Sequence, residues 1–342
     1  MLSTARPHAP TSVAMQCMEV WGGNRAADAG VVMPGLDVWV YSLPYEEEST
    51  PSDLGGDPAS AEDRAGGDVH FVSSCGTGRI ARIMVADVSG HGTSVAALAV
   101  RLRSLMRRFM NYLDQTAFVE ALNRAFAELD QEGRFATSVA MTFFAPTARL
   151  DICNAGHPRP LRYAATRRRW EILDAPSVED TATSTEVMNL PLGILEPTRY
   201  EQFGLELAKG DMVVVYTDAL VEARSSSGEL LGEEGLLRLA GEVDVNSPAS
   251  VIPSLLDRVA AWREGAPPDD DVTVLLLRHN GSARQAPLVR RLQASLRFLA
   301  ILLRNCVPFG ERHPVPWPEP RIENIVGAVI PRIARRWRAG KA

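Results

Sequence analysis

The sequence predicts an α+β sandwich in which sheets are covered by pairs of helices. Two observations carry this: short β-branched runs recur along the chain, and helical periodicity is concentrated in two places, each holding two consecutive helices. Taken in order, Leu36-Asp37-Val38-Trp39-Val40-Tyr41 is compact, aromatic and β-branched, so residues 36–41 read as a strand. Residues 46–67 are acidic, rich in Gly, Pro and Ser, and aperiodic: a long loop. Runs at 69–73 and 80–86, separated by Cys75-Gly76-Thr77-Gly78, read as a hairpin. Val95, Leu98, Leu102, Leu105 and Phe109 then recur at spacings of 3 and 4, with Arg101, Arg103, Arg107 and Arg108 on other faces: the first helix. A second helix spans about 118–129, and strands follow at 137–144, 149–153, 161–163 and 170–173. A Ser/Thr-rich loop (177–185) precedes Met212-Val213-Val214-Val215-Tyr216, whose unbroken apolar run predicts a strand buried on both faces. Helices at about 233–240 and 248–263 lead to a last strand at 272–277, and no internal repeat is apparent.

Length and composition set the limits. The chain has 342 residues, 46% hydrophobic and 23% charged, which excludes wholesale disorder and collagen-like repeats. No uncharged stretch approaches the roughly 18–20 residues of a membrane span, and the first residues lack the apolar core of a signal peptide. Cys17, Cys75, Cys153 and Cys306 stand singly with no CxxC, which reads as reduced thiols in a cytoplasmic protein and argues against structural zinc. The formal net charge of −6 hides an asymmetry: residues 281–342 hold 12 Lys and Arg against 3 Asp and Glu (+9), and the remainder 24 against 39 (−15). The organisation expected is a leader (1–35), one folded domain (36–280) and a basic amphipathic tail (281–342). In the tail, Leu288, Leu292, Leu296, Leu299 and Leu303 keep helical spacing, and a second basic stretch ends Arg335-Arg336-Trp337-Arg338. Such a tail suits an anionic membrane surface, an acidic partner or the chain's own acidic body, and nothing in it resembles a nucleic-acid module.

Candidate chemistry gathers in aspartates at strand ends. Asp68 closes Gly66-Gly67-Asp68, Asp87 opens Asp87-Val88-Ser89-Gly90-His91-Gly92, Asp218 follows the apolar strand, and Asp269-Asp270-Asp271 precedes the last one. Asp-Gly pairs are ordinary turn formers, so each aspartate alone reads as structural. Together, and with no compensating Lys among them, they repel one another unless divalent cations intervene. Oxygen ligands without a His/Cys cluster suit Mg²⁺ or Mn²⁺. Two ions on shared carboxylates can acidify a water and clamp a phosphoryl oxygen. Spacing alone leaves both readings open.

The series Gly66-Gly67-Asp68, Asp87-Val88-Ser89-Gly90-His91-Gly92, Phe135-Ala136-Thr137, Asn154-Ala155-Gly156-His157-Pro158, Leu190-Pro191-Leu192-Gly193, Gly210-Asp211, Tyr216-Thr217-Asp218 and Asp270-Asp271-Val272-Thr273 resembles, in order, the metal-dependent protein phosphatases (PPM), in their bacterial SpoIIE-like and RsbU-like branch. The resemblance covers about residues 36–278. It implies a four-layer αββα sandwich of two antiparallel sheets flanked by helix pairs. It implies hydrolysis of phosphoserine or phosphothreonine on a regulatory protein, often a small anti-sigma-factor antagonist, by water activated between two Mn²⁺ or Mg²⁺ ions. By position, Asp87 corresponds to the carboxylate bridging both metals, with the Val88 carbonyl as a further ligand. Asp68 corresponds to a ligand of one ion, and Asp218 and Asp270 to ligands of the other. The resemblance thus implies Asp87 and Asp68 as the catalytic residues. The alternative is a catalytically weak module of the same fold that binds a phosphoprotein or partner.

Departures from the pattern define what the structure must answer. Gly55-Gly56-Asp57 competes with Asp68, but Pro58 and a polar loop follow it instead of a strand. Asp271 competes with Asp270. Ala219 stands where the family usually has Gly, which implies a tighter approach or a changed backbone angle. His91 reads as a loop-ordering residue, His157 as a hydrogen-bonded turn histidine and Thr137 as a buried strand residue. The first helix, directly after Asp87, reads as a core helix or as the point where a regulator reshapes the site.

Overall fold

The computed structural model describes residues 20–45, 65–75, 78–110, 112, 114–129, 133–174 and 188–282. The basic tail, the loop at 46–64 with Asp57, and the whole 177–185 loop lie outside the described residues.

Two six-stranded antiparallel sheets form the centre. The first runs β1 (Val20–Arg25), β4 (Ala65–Ser74), β5 (Ile80–Val88), β6 (Ala136–Phe144), β7 (Arg149–Ala155), β10 (Gln202–Glu206). The second runs β2 (Ala27–Met33), β3 (Leu36–Leu43), β12 (Val272–His279), β11 (Met212–Tyr216), β8 (Leu161–Ala164), β9 (Arg169–Ile172). Helices α1 (Thr93–Phe109) and α2 (Gln115–Leu129) pack on the first sheet. Helices α3 (Gly232–Gly241) and α4 (Pro248–Trp262) pack on the second. This is the αββα sandwich.

Strand periodicity builds the layers, since successive side chains take opposite faces. On β5, Met84, Ala86 and Val88 face α1 and α2, whereas Ile83 and Val85 meet the second sheet. On β11, Val213 and Val215 point into the inter-sheet core, and Met212, Val214 and Tyr216 meet Leu236, Ile252 and Leu255 of the outer helices. That double burial accounts for its unbroken apolar run. Each such side chain contributes about 1.5–3 kcal/mol of burial, and no helix among the described residues is long and apolar enough to cross a membrane.

Two differences from the sequence expectation stand out. Residues 20–33, within the stretch that composition reads as a leader, supply β1 and β2. Their Gly and Ala content masks a strand pattern, and the packing accounts for one glycine: a Cβ on Gly22 would lie 2.2 Å from the His70 carbonyl oxygen on the paired strand. β10 is the other addition, an edge strand whose residues are all at least partly exposed and so carry no apolar run.

Candidate active site

Register brings the aspartates together. In the first sheet Asp68 lies directly opposite Asp87, and Asp87 opposite Thr137. In the second, β11 and β12 are antiparallel neighbours, so the turn carrying Asp218 and the approach carrying Asp270 and Asp271 leave the sheet at the same end. Thr217 ties the sheets together there. Its hydroxyl donates to Asp68 Oδ2 at 2.9 Å and accepts the Thr273 N–H at 2.9 Å.

The electrostatics are those of crowded, half-desolvated acids. Burial, then Asp87 and Asp271, push Asp68 well above the usual carboxylate range. Burial, then Asp218, Asp270, Asp271 and Glu222, raise Asp87 to about 8. Burial, then Asp270 and Glu222, raise Asp218 to about 6, and Asp270 is raised chiefly by burial. Every charged group behind these shifts is another carboxylate. Desolvation and like charge both penalise the ionised form, so a divalent cation would relieve both. Among the described residues no three His, Cys, Asp or Glu side chains are gathered into a ready-made metal cage. The donor chemistry nonetheless fits a hard cation: several carboxylate oxygens, no thiolate and no imidazole.

Asp270 and Asp271 have different surroundings. The Asp271 carboxylate accepts the N–H of Tyr45 at 2.6 Å, of Gly67 at 2.6 Å and of Asp68 at 3.3 Å, clasping the end of β3 and the start of β4. Asp270 is the more solvent-facing of the two, set only partly into the acidic cluster, and its carboxylate accepts the N–H of Asp271 at 2.8 Å. The Val88 carbonyl turns toward β4, where a Cβ on Gly67 would lie 2.9 Å away from it.

Ala219 sits buried in a 3-10 turn at Asp218–Leu220, with its φ outside the left-handed region, and its carbonyl accepts Arg263 at 2.6 Å. The methyl therefore imposes no altered backbone angle. His91 is exposed on the loop before α1. His157 is the turn histidine expected: its N–H donates to Asn154 Oδ1 and its carbonyl accepts Asn154 Nδ2, both at 2.8 Å. A cleft of about 250 Å³ lies beside that turn, lined by Asn154, His157, Arg159, Asp174, Glu201 and Phe203, and none of the acidic cluster lines it.

Two residues that the motifs do not single out stand near the site: Glu222, which acts on Asp87 and Asp218, and Arg134, which bonds Ser94 at the start of α1. Glu222 adds a carboxylate one turn beyond Asp218, its N–H donating to the Asp218 carbonyl at 2.8 Å. Arg134 donates to Ser94 at 3.2 Å, beside the loop that follows Asp87, and the next residue, Phe135, bonds Ser89 through its N–H and its carbonyl. Its position one residue before Phe135-Ala136-Thr137 is the only signal of it in the sequence.

Comparison with known proteins agrees with this architecture. The family model described as "Stage II sporulation protein E (SpoIIE)" matches residues 77–280. "Phosphoserine phosphatase RsbU" of Bacillus subtilis is 26% identical over 241 residues, covering 69% of this chain and 65% of its own length. This chain thus spans less than two thirds of that relative. The RsbU and RsbW domains of a Mycobacterium tuberculosis protein superpose with a TM-score of 0.55 at 23% identity, covering 82% of this chain and 72% of that one. The PP2C phosphatase domain of SpoIIE from Bacillus subtilis, with a fragment of its regulatory domain, gives 0.53 at 16% identity, covering 77% and 64%. At these identities the two structures show the fold.

Proposed function

The chain belongs to the SpoIIE family of the PPM phosphatases, and on that premise we propose that it is a metal-dependent protein serine/threonine phosphatase acting on a phosphorylated regulatory protein. The observation that carries the reading is the register that brings Asp68 and Asp87 of one sheet to the end of the other sheet where Asp218 and Asp270 leave it, with Thr217 bonded to Asp68 across the two; burial and neighbouring carboxylates raise all four.

Asp68, Asp87, Asp218, Asp270 and the Val88 carbonyl would hold two Mn²⁺ or Mg²⁺ ions. When bound, the ions supply an acidified water and a positive clamp on the phosphoryl group. The chain's own residues set the geometry. Thr217 and Asp271 fix Asp68 by its carboxylate and by its N–H. Asp87 stands opposite Asp68 on a central strand and also feels Asp218 and Asp270 of the other sheet, so it would be the carboxylate common to both halves of the ligand set. Arg134, beside the Asp87 loop, offers the cation that would grip a phosphoryl oxygen. A relative named as a phosphoserine phosphatase favours a phosphoserine protein as substrate, and the family resemblance points to a small anti-sigma-factor antagonist.

The test is hydrolysis of p-nitrophenyl phosphate and of a phosphoserine protein by the purified chain with Mn²⁺, with chelator, and with Asp87→Asn. Turnover that requires metal and is lost in the variant supports the reading. A folded, Mn²⁺-binding protein that turns over neither substrate, with RsbU-type partners added, would leave the binding-module alternative.

A further inference from the structure

Arg263 caps the C-terminus of α4, where its own N–H donates to the Val259 carbonyl at 3.0 Å. Its side chain is only 6% exposed, and the guanidinium reaches the two segments that carry Asp218 and Asp270. Nη2 donates to the Ala219 carbonyl at 2.6 Å and lies 3.6 Å from Asp269 Oδ1. Ala219 directly follows Asp218, and Asp269 directly precedes Asp270. Nε and Nη1 are buried with no hydrogen-bond partner among the described residues. A buried guanidinium with two of its three nitrogens unmet is costly, and an apolar side chain would pack there at lower cost. Packing alone therefore does not account for the cation.

The tie it makes has a counterpart on the other side of each aspartate. Thr217 donates its N–H to the Thr273 carbonyl at 3.0 Å, and its hydroxyl accepts the Thr273 N–H at 2.9 Å. Asp218 thus lies between Thr217, held to β12, and Ala219, held to Arg263. Asp270 lies between Asp269, paired with Arg263, and Asp271, whose carboxylate is held by the amides of β4. Asp218 and Asp270 repel each other, which pushes their segments apart. Thr217 resists that from within the sheet, and Arg263 resists it from the helix side.

We infer that Arg263 is a positioning residue: through the Ala219 carbonyl and the Asp269 carboxylate it holds the Asp218 turn and the Asp270 approach at the spacing that lets both aspartates serve one metal ion. The inference deepens the phosphatase reading and rests on it for any consequence in turnover; its consequence in metal affinity rests on Asp218 and Asp270 being ligands.

The experiment compares Arg263→Leu, Arg263→Lys and Asp269→Asn with the parent in the full chain, and adds Arg263→Leu to Asp218→Asn. It measures Mn²⁺ affinity by calorimetry, the metal-free unfolding midpoint, and p-nitrophenyl phosphate turnover across a Mn²⁺ titration. Arg263→Leu should weaken Mn²⁺ binding by about 10-fold or more, the range seen when groups that orient metal ligands are lost. Arg263→Lys, whose ammonium can still reach the Ala219 carbonyl, should recover part of that affinity. Asp269→Asn breaks only the exposed arm of the tie and should cost no more than about 5-fold. In the Asp218→Asn background, Arg263→Leu should weaken Mn²⁺ binding by less than about 2-fold further, because the pair it spaces is already broken. Turnover by Arg263→Leu should return toward the parent as Mn²⁺ is raised. Unchanged Mn²⁺ affinity in Arg263→Leu with only a lowered midpoint would overturn the proposal, leaving a structural cap on α4. So would the full loss repeated in the Asp218→Asn background. If Arg263→Leu does not fold, the other two variants decide: parental Mn²⁺ affinity in both Arg263→Lys and Asp269→Asn would overturn the proposal. A parent that binds Mn²⁺ without turnover would overturn the phosphatase reading while the affinity series still decides Arg263. A parent that binds no Mn²⁺ overturns both.

Discussion

Gly66 and Asp271 are in contact so close that no side chain fits between them: a Cβ on Gly66 would stand 2.2 Å from Asp271 Oδ2. That carboxylate oxygen also accepts the N–H of Gly67 and of Asp68, so an acid from one sheet caps the strand of the other that carries a candidate ligand. A methyl here must push the carboxylate off those amides. Gly66→Ala is expected to cost about 1–3 kcal/mol, as for other overpacked sites, and to weaken Mn²⁺ binding through Asp68. Urea unfolding and Mn²⁺ titration measure the two effects, and a variant unchanged in both contradicts the contact.

Asp270 and Asp271 should separate in the same assays. Asp271→Ala removes the acceptor of two buried backbone N–H groups on β4, those of Gly67 and Asp68, and of the exposed Tyr45 N–H just beyond β3. Leaving a buried donor unsatisfied costs about 1–3 kcal/mol, so this variant should be destabilised even in metal-free protein. Asp270→Asn removes one charge from a repelling cluster and should leave metal-free stability equal or higher, while lowering Mn²⁺ affinity. If Asp271→Ala is the one that keeps its stability and loses only metal, the assignment is reversed.

Stability of the chelator-treated protein should fall with rising pH. Asp87 and Asp218 are raised to about 8 and about 6, so between an ordinary carboxylate pKa and these values the folded state binds more protons than the unfolded state. By linkage, the stability associated with them is fully present below the ordinary carboxylate range and is lost as pH rises through 6 and then 8. Each kcal/mol lost lowers Tm by about 2–4 °C in a chain of this size. Asp87→Asn should flatten the profile above pH 6, and saturating Mn²⁺ should raise Tm most at the alkaline end. Melting curves from pH 5 to pH 9 check this, and a metal-free Tm that climbs toward pH 8 contradicts it.

Much of the fold is legible in the sequence because its central strands are buried on both faces. β11 and β12 read as apolar runs, and α1 shows its stripe at spacings of 3 and 4. β1, β2 and β10 are less legible because strands rich in Gly and Ala or partly exposed derive their pairing from neighbours. The candidate site is legible as residue types and order, since Asp87, Asp218 and Asp270 lie at or beside strand ends and Asp68 directly precedes the apolar part of β4. What spacing cannot supply is orientation. That Asp271 faces three amides and that Glu222 joins the cluster both depend on contacts between residues more than 40 apart in the chain.

Arg134→Ala should act on substrate rather than on metal. The side chain stands beside the Asp87 loop through Ser94 and outside the carboxylate set. A charge-assisted bond to a phosphoryl oxygen contributes about 1.5–3 kcal/mol, so KM for a phosphoprotein should rise about 10-fold or more with Mn²⁺ affinity unchanged. Steady-state kinetics beside calorimetry separate the two, and a loss of Mn²⁺ binding instead would make Arg134 a support of the loop.

Ala219→Gly is expected to bring no gain in activity. The usual reason to want glycine is a left-handed backbone or a close approach, and Ala219 occupies an ordinary 3-10 turn. The residue is 2% exposed and belongs to the cluster that holds Leu220, Leu236 and Val272, on the outer-helix side of the second sheet. Removing it should cost stability by about 0.5–1 kcal/mol through added freedom of the unfolded chain, with kcat and Mn²⁺ affinity held near the parent. Thermal unfolding with p-nitrophenyl phosphate kinetics decides the matter. A glycine variant several-fold faster than the parent would mean that the methyl restrains substrate approach, and would assign to Ala219 the attenuation that its place in the motif implies.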